Sequence, residues 1–306
     1  MSHDNHPRVL VVTLDAAEPT LIRRLIDQGR MPTLRSLLAQ GRWSRVDSPA
    51  SIGSGAVWPT FMTGQPPSSH GVYGEWAWQP ATMSLQRFSG EGLTPFWKEM
   101  TAAGVKVGVL DVPFAPMLNL AEGFELMEWG PHDTIRGHVQ AGPGAIADLV
   151  SKKVPAHPFS SDRHDLTEPH DHEALGKLTA AGVAGIRLRG ELAQRLIKET
   201  RPDLAIINFT ELHHCGHFVW HTIASGHESY QGEFEHSAPV EPSLEEIYTE
   251  VDNQIGRLLE VAGNEATVMV FSLHGMGPAR GLPAILGPLL SELGFARLAG
   301  WKAKSW

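Results

Sequence analysis

Cysteine is almost absent from this sequence, because Cys215 is the one thiol among 306 residues. A single cysteine excludes an internal disulfide and any zinc site built on several thiolates. Long apolar runs are lacking too, since no window approaches the ~20 apolar residues that a membrane-spanning helix needs. The apolar run at residues 9–14 follows a polar start and is too short for the core of a secretory signal peptide. We therefore expect no membrane attachment and a cytoplasmic location.

Positive charge is also in short supply. The chain has 25 Lys and Arg against 34 Asp and Glu, which gives a formal net charge of −9. Binding a nucleic-acid backbone requires a cationic surface, so a nucleic-acid scaffold is not expected. A small phosphate-bearing substrate held through a metal ion is compatible with this charge. Histidine, by contrast, is plentiful, and its 16 imidazoles are the main neutral ligands available to a metal.

Four short, mostly apolar segments have the pattern of buried strands. They are residues 9–14, 105–110, 204–209 and 267–272. Near-continuous apolar character with β-branched residues is typical of parallel strands covered on both faces. Helical patterns alternate with these segments, at residues 19–28, 32–40, 96–103, 184–200 and 244–262. The sequence therefore predicts an α/β fold with a mainly parallel central sheet and helices on both faces.

Two stretches, residues 74–92 and 111–182, do not follow this alternation. The first contains Trp76 and Trp78 and has little periodicity, and the second is rich in Pro, Gly, His and Asp. A structureless loop as long as the second stretch is uncommon inside a compact domain. We therefore predict one domain over residues 1–306, with an irregular insertion or cap at 111–182 near the edge of the sheet where ligands bind.

Two candidate metal ligands lie at the ends of predicted strands. Asp15 ends the strand at 9–14, and His274 follows the strand at 267–272. In sheets of this kind, ligands bind at the carboxyl ends of the strands. The alternatives are structural: Asp15 as the cap of the following helix, and His274 as a hydrogen-bonded turn residue.

A serine between two glycines is a candidate nucleophile. Ser54 lies between Gly53 and Gly55 and opens a segment, residues 56–62, that is compatible with a helix. Backbone N–H groups and the positive end of a helix dipole beside a hydroxyl suit a phosphate, or a nucleophile that attacks one. The alternative is that Ser54 is only a helix cap.

A third group of candidates follows the strand at 204–209. It consists of Glu211, His213, His214, His217 and His221. His213 and His217 are four residues apart, so on a helix they share a face and are placed to chelate one ion. Imidazole and carboxylate ligands together suit zinc, iron or manganese. The alternative is a set of surface histidines, but the convergence of these groups with Asp15 and His274 at strand ends favours a site.

With these residues in place, the chain resembles the alkaline phosphatase superfamily, in particular its type I phosphodiesterase/nucleotide pyrophosphatase branch. Residues 9–15 are similar to the first strand of that branch with its metal-binding aspartate. The branch has a Thr or Ser nucleophile nine residues before the Thr of a Thr-Gly pair, and Ser54 lies nine residues before Thr63. Pro-x-x-His-Gly follows that pair, as residues 67–71 do here.

The resemblance implies an alkaline phosphatase-like fold and a metal-dependent hydrolase of phosphate mono- or diesters. In that family two divalent ions, usually zinc, assist a hydroxyl that attacks phosphorus and forms a covalent phospho-enzyme. Transferred to this chain, Ser54 is the nucleophile and phospho-serine is the intermediate. The implied ligands are Asp15 and His274 for one ion, His213, His217 and Glu211 for the other, and the Ser54 hydroxyl. The expected cofactor is zinc, with manganese as the alternative, and the expected partner is a small phosphate ester.

Three departures from the family pattern bear on this assignment. His213 stands where the family has an aspartate of Asp-x-x-Gly-His, and Leu273 stands where it has the aspartate of Asp-His-Gly-Met. No histidine follows His274, although the family supplies a late one. Three explanations are open: altered ligands for one or two ions, a chain truncated at its C-terminus, or a degenerate site on a fold that binds without turnover. A sulfatase ranks lower, because the residues after Ser54 lack the Pro and Arg of the sulfatase motif.

Overall fold

The computed structural model describes residues 7–130, 137–159, 171–223, 243–278 and 282–295. Part of the stretch 111–182 therefore lies outside the described residues. The chain divides into two compact units, residues 1–276 and 277–306, whereas the sequence predicted one domain across 1–306.

A six-stranded sheet forms the centre of the first unit. The strands are β1 (Val9–Leu14), β4 (Val107–Leu110), β5 (Phe124–Met127), β6 (Gln140–Gly142), β7 (Leu204–Phe209) and β8 (Thr267–Phe271). Their order is β6-β5-β4-β7-β1-β8. All neighbouring pairs are parallel except β5 with β6. The predicted α/β fold with a mainly parallel sheet is confirmed.

Helices lie between the strands, much as the sequence pattern indicates. They are α1 (Pro19–Asp27), α2 (Pro32–Gln40), α3 (Val57–Thr63), α4 (Pro67–His70), α5 (Phe96–Ala102), α6 (Gly144–Lys153), α7 (His172–Thr200), α8 (Glu211–Val219), α9 (Leu244–Ala262) and α10 (Leu282–Glu292). Short 3-10 helices precede α3 at Ser54–Ala56 and follow α8 at Trp220–Ile223. The side chain of Ser243 accepts a hydrogen bond from the Glu246 N–H and starts α9 as an N-cap should.

The alternation of β1 side chains divides the core into two layers. Leu10 and Val12 pack into a cluster with residues of α1, α7, α8 and α9, whereas Val11 packs into a second cluster with residues of α3 and α5. Successive residues of a strand point to opposite faces, so both faces of the sheet are covered by helices. This two-sided burial explains why the strands are almost uniformly apolar.

The stretch 111–182 differs from the predicted irregular insertion. β5 and β6 belong to the central sheet, and α6 and the start of α7 also fall within the stretch. The sequence pattern does not indicate β5, because this strand has only four residues and contains Glu125, which interrupts the apolar run. That buried carboxylate accepts hydrogen bonds from the N–H groups of Leu118 and Leu120, which satisfies its charge inside the protein.

The stretch 74–92 contains a two-stranded antiparallel hairpin of β2 (Trp76–Gln79) and β3 (Ser84–Arg87). Trp76 and Trp78 are two residues apart and both are more than half exposed. The hairpin is too short and too exposed to produce a clear periodic signal, which explains why the sequence pattern did not indicate it.

The second unit contains α10, with Pro288 inside the helix. Apolar side chains along it, such as Ile285 and Leu286, are exposed. None of the helices in the described ranges combines the length and the apolar character needed to cross a membrane.

Candidate metal and nucleophile site

Three candidate ligands meet at the carboxyl ends of neighbouring strands. Asp15 directly follows β1, His213 lies in α8 after β7, and His274 lies three residues after β8. Because β7 and β8 flank β1 in the sheet, the ends of these strands bring the three side chains together. The Asp15 N–H donates to the carbonyl of Phe209 and so continues the pairing of β1 with β7. Asp15 is almost fully buried, and His213 and His274 lie beside it.

The spacing of the donor atoms fits a divalent metal ion. Asp15 Oδ2 lies 3.2 Å from Nδ1 of His213, and Asp15 Oδ1 lies 3.8 Å from Nε2 of His274. One ligand atom from each of the three side chains lies within 4.8 Å of the others. Zinc bonds of about 2.0–2.2 Å in a tetrahedron put ligand atoms roughly 3.3–3.6 Å apart. A carboxylate and two imidazoles are also the ligand types that zinc takes in catalytic sites.

A hydrogen bond fixes the tautomer of His274. Its Nδ1 lies 2.9 Å from the carbonyl oxygen of Gly275, and because a carbonyl only accepts, Nδ1 carries the proton. Nε2 then presents its lone pair toward Asp15. This arrangement, in which one ring nitrogen donates to the protein and the other faces the ion, is typical of metal-binding histidines. His274 therefore makes the predicted turn contact with one nitrogen and leaves the other available.

The structural alternative for Asp15 does not hold. Helix α1 is capped by Glu18, whose side chain accepts a hydrogen bond from the Thr20 N–H. The carboxylate of Asp15 instead faces the two histidines.

His217 adds a further imidazole to the cluster. On α8 it lies one turn after His213, and the two ring centroids are 4.7 Å apart. Although the side chain is exposed, partial loss of water and the neighbouring imidazoles of His213 and His274 together lower the pKa of His217 to about 4, against the opposing effect of Asp15. His217 is therefore neutral at pH 7, which is the protonation state that binds metals.

The pKa of His217 predicts a pH dependence in the metal-free protein. Its folded value of about 4 is below the ordinary 6.5, so between these values the unfolded chain binds the proton and the folded chain does not. The free energy of unfolding should therefore decrease as the pH falls through this window. Ring NMR signals of His217 should show a midpoint well below 6.5, and His217→Gln should make the pH dependence of stability shallower. A midpoint at or above 6.5 would contradict the arrangement.

Glu211 does not join this cluster. Its fully buried carboxylate accepts hydrogen bonds from Nε of Arg189 at 2.8 Å and from His157 at 2.9 Å. Burial alone would raise the pKa of Glu211, but the charge of Arg189 and the hydrogen bond from His157 outweigh it and lower the pKa to about 2. The physical reason for the difference is helix geometry, since residues two apart on a helix point in nearly opposite directions. The structure thus gives Glu211 a different set of partners from the one that the sequence predicted.

The Glu211 cluster contains residues that the sequence analysis missed. Asp111, His157 and Arg189 are all buried and join Glu211 in one hydrogen-bonded network. Asp111 follows β4 directly, as Asp15 follows β1. This position at a strand end is the feature of the sequence that could have indicated Asp111. Arg189 lies on the buried side of α7 near Ile186, where a charged residue in a helical pattern is usually taken for a solvated one.

Ser54 opens the 3-10 helix that leads into α3. The N-cap of that helix is Gly53, so Ser54 is not the cap that the alternative required. A Cβ atom on Gly53 would lie 2.6 Å from the carbonyl oxygen of Tyr73, and one on Gly55 would lie 2.6 Å from the backbone nitrogen of Glu75. Both glycines therefore allow the backbone of residues 73–75 to approach the turn at residues 53–55 closely. We call this turn, which contains Ser54, the serine turn.

His70 joins the segment before residues 73–75 to α3. Its Nδ1 accepts a hydrogen bond from the Val72 N–H, and its Nε2 lies 2.9 Å from the Thr60 hydroxyl. Burial lowers the pKa of His70, which favours the neutral ring that this pair of contacts requires. His70 thus connects α3 to the segment that packs against the turn at Ser54.

Aromatic packing connects α3 with the strand before His274. The rings of Phe61 in α3 and Phe271 in β8 are 5.4 Å apart. Leu273 packs against the same apolar cluster, which includes Val57 and Trp58 of α3. The position where the resemblance would place an aspartate thus has an apolar side chain that contributes to the core.

The close approach at Gly55 gives a direct test of the serine turn. Gly55→Ala should displace the turn, because its Cβ would meet backbone atoms of both Gly74 and Glu75. We expect a loss of about 1–3 kcal/mol in the free energy of unfolding, as for other overpacked sites. Gly144→Ala in α6 is the matched control, since nothing lies within 4 Å of its Cβ, and it should be neutral or slightly stabilising. Thermal unfolding of both variants checks this, and equal stability of the two would contradict the packing.

A scan against protein-family models decides the family. The model described as type I phosphodiesterase / nucleotide pyrophosphatase matches residues 9–291. The chain belongs to this family. The resemblance found in the sequence is therefore confirmed, and the match includes all of the candidate ligands as well as Ser54. Among curated protein sequences, no relative matches the chain.

Solved structures similar to this family member support its fold. Phosphonoacetate hydrolase from Sinorhizobium meliloti 1021 in complex with phosphonoacetate matches with a TM-score of 0.54 and 18% identity, over 94% of this chain and 63% of that chain. The complex with phosphonoformate matches with a TM-score of 0.53 and 19% identity, with the same coverage. The chain thus spans less than two thirds of the length of these structures.

Proposed function

We propose that this chain forms the metal-binding and nucleophile-bearing part of a metal-dependent hydrolase of phosphate mono- or diesters. The observation that carries the proposal is the convergence of Asp15, His213 and His274 at the ends of three neighbouring strands. Family membership supports the same class of chemistry. The cytoplasmic location remains a prediction.

The proposed ligands are Asp15, His213 and His274, with His217 as an additional imidazole. Glu211 is left out, because Arg189 and His157 occupy its carboxylate. The ligand types favour zinc, with manganese as the alternative. A divalent ion bound there would stabilise the negative charge that develops on the phosphoryl oxygens.

Ser54 is the proposed nucleophile. Its hydroxyl gives its proton to a water molecule, and its oxygen forms a bond to phosphorus as the bond to the leaving oxygen breaks, so that the leaving group departs with the electron pair. Water then attacks the phospho-serine, releases phosphate or a phosphate monoester, and returns a proton to the Ser54 oxygen. Ser54 is the first residue of the 3-10 helix Ser54–Ala56, and the N-terminal end of a helix suits an anionic substrate.

The experiment is a substrate panel with added zinc or manganese. It includes p-nitrophenyl phosphate, bis-p-nitrophenyl phosphate and phosphonoacetate, the last because it is bound in a similar solved structure. Metal-stimulated release of p-nitrophenol is expected from one or both phosphate esters. Hydrolysis of phosphonoacetate alone would move the proposal from phosphate esters to phosphonates.

A second candidate function is a binding module that has lost catalysis. Leu273 favours it, because this side chain packs in the apolar cluster and offers no ligand. Metal analysis separates the two functions. A purified protein that retains no divalent ion after incubation with zinc would support the module, and zinc retention with ester hydrolysis would support the enzyme.

A further inference from the structure

A buried charged cluster lies beside the proposed site and takes no part in the proposed chemistry. Its centre is Arg189 on α7, whose guanidinium is fully buried. Nε donates to Glu211, Nη1 donates to Asp111 at 2.6 Å, and Nη2 donates to the Thr210 hydroxyl at 3.0 Å. Three nitrogens of one planar group thus bind three residues from two strand ends. A lysine side chain ends in a single ammonium group instead of a planar group with three nitrogens, so it cannot reproduce this geometry.

The cluster connects the ends of three neighbouring strands. Asp111, at the end of β4, accepts hydrogen bonds from the N–H groups of Trp129 and Gly130, which follow β5. The amide of Asn208 in β7 donates to the backbone carbonyl of Asp111. A Cβ on Gly130 would lie 2.2 Å from Nη2 of Arg189, so the backbone at Gly130 lies very close to the guanidinium.

His157 extends the cluster to a further segment. Its Nδ1 accepts from the Phe159 N–H, so its Nε2 carries the proton that it donates to Glu211. The ring of Phe159 packs 4.6 Å from that of His214 on α8. Residues 157–159 therefore contact α8 both at its first residue and one turn later.

The cluster binds the first residue of α8 and the residue before it. Glu211 is the first residue of α8 and Thr210 precedes it, and both bind the guanidinium of Arg189. The helix has only nine residues, and His213 projects from it toward Asp15, with the His217 ring 4.7 Å from the His213 ring. A shift or rotation at Glu211 would therefore move both imidazoles away from Asp15. Groups that orient metal ligands in this way typically change metal affinity by about 10–100-fold when they are removed.

Burial of the cluster is a poor source of stability by itself. The free energy lost when an arginine and two carboxylates are removed from water is about as large as the free energy gained from their attraction. Proteins in which apolar residues replace such buried charges are often equally stable. A role in placing α8 accounts for the buried charges better than stability does.

We infer that Arg189 is a positioning residue that holds α8, through Glu211 and Thr210, in the orientation that brings His213 and His217 to the proposed metal site. The inference rests on the proposed metal site. It assigns no direct contact of Arg189 with metal or substrate.

The test measures zinc affinity by competition with a chelator and thermal unfolding on the same full-length variants. Arg189→Lys keeps the positive charge but loses the planar guanidinium with its several donors. This variant should bind zinc about 10-fold more weakly than the wild type. The matched control is Asp252→Asn, because Asp252 is fully buried and accepts from the N–H groups of Thr33 and Leu34, at the start of α2. The control should lower the unfolding temperature and leave zinc affinity unchanged.

A triple variant separates positioning from stability. Arg189→Met with Asp111→Asn and Glu211→Gln removes all three buried charges, so it should fold even if Arg189→Met alone does not. Zinc affinity should stay about 10-fold below wild type in the folded triple variant. Wild-type affinity in the triple variant or in Arg189→Lys would overturn the positioning role and leave the metal site standing. Absence of zinc binding in the wild type would overturn the metal site itself.

Discussion

Ser54→Ala is expected to lower metal-dependent hydrolysis of a phosphate ester by at least about 10³-fold. The variant lacks the oxygen that forms the bond to phosphorus, and water in its place would have to be activated without a covalent step. Zinc affinity should fall much less, because Asp15, His213 and His274 remain. Folding should be unaffected, since the Ser54 side chain is exposed and makes no cap.

The matched control for this variant is Ser151→Ala. Ser151 is also exposed, and its hydroxyl only donates to a carbonyl within α6. Initial rates with p-nitrophenyl esters at saturating zinc compare the two variants. A Ser54→Ala protein that retains wild-type kcat would remove Ser54 as the nucleophile, whatever the metal content.

Asp15→Asn is expected to weaken zinc binding by at least about 100-fold. The amide has nearly the same shape as the carboxylate but no negative charge, and Asp15 is the one carboxylate among the three clustered ligands. Activity should fall in parallel, whereas excess zinc should restore part of it. Because Asp15 is buried between His213 and His274, the amide should still fit without a cavity.

Asp148→Asn provides the control for this change. Asp148 is exposed on α6, where it pairs with Lys152 four residues later, so its charge contributes little. Zinc affinity by chelator competition should be unchanged in this control. Equal zinc affinity of Asp15→Asn and wild type would exclude Asp15 as a ligand.

The central part of the fold follows directly from the sequence pattern. β1 and β7 have the predicted bounds because six-residue apolar runs buried on both faces are hard to mistake. The placement of Asp15, His213 and His274 also follows, since parallel strands bring their carboxyl ends to one edge. Here local pattern and overall topology agree.

Other features depend on tertiary contacts that spacing does not encode. Glu211 lies two residues from His213 and so points away from it, where Arg189 neutralises its charge. The partner itself is on α7, and nothing in the helical pattern distinguishes a buried arginine from a solvated one. β5 was missed because Glu125 is satisfied by backbone N–H groups, which only the folded loop supplies.

The most direct test of the account is a crystal structure of the protein soaked with zinc, with the ion located by anomalous diffraction. The account predicts an ion about 2.0–2.2 Å from a carboxylate oxygen of Asp15 and from one ring nitrogen each of His213 and His274. It also predicts that Glu211 stays bound to Arg189 and does not turn toward the ion. No ion at this position, or an ion held by Glu211 while Asp15 remains paired only with histidines, would contradict the account.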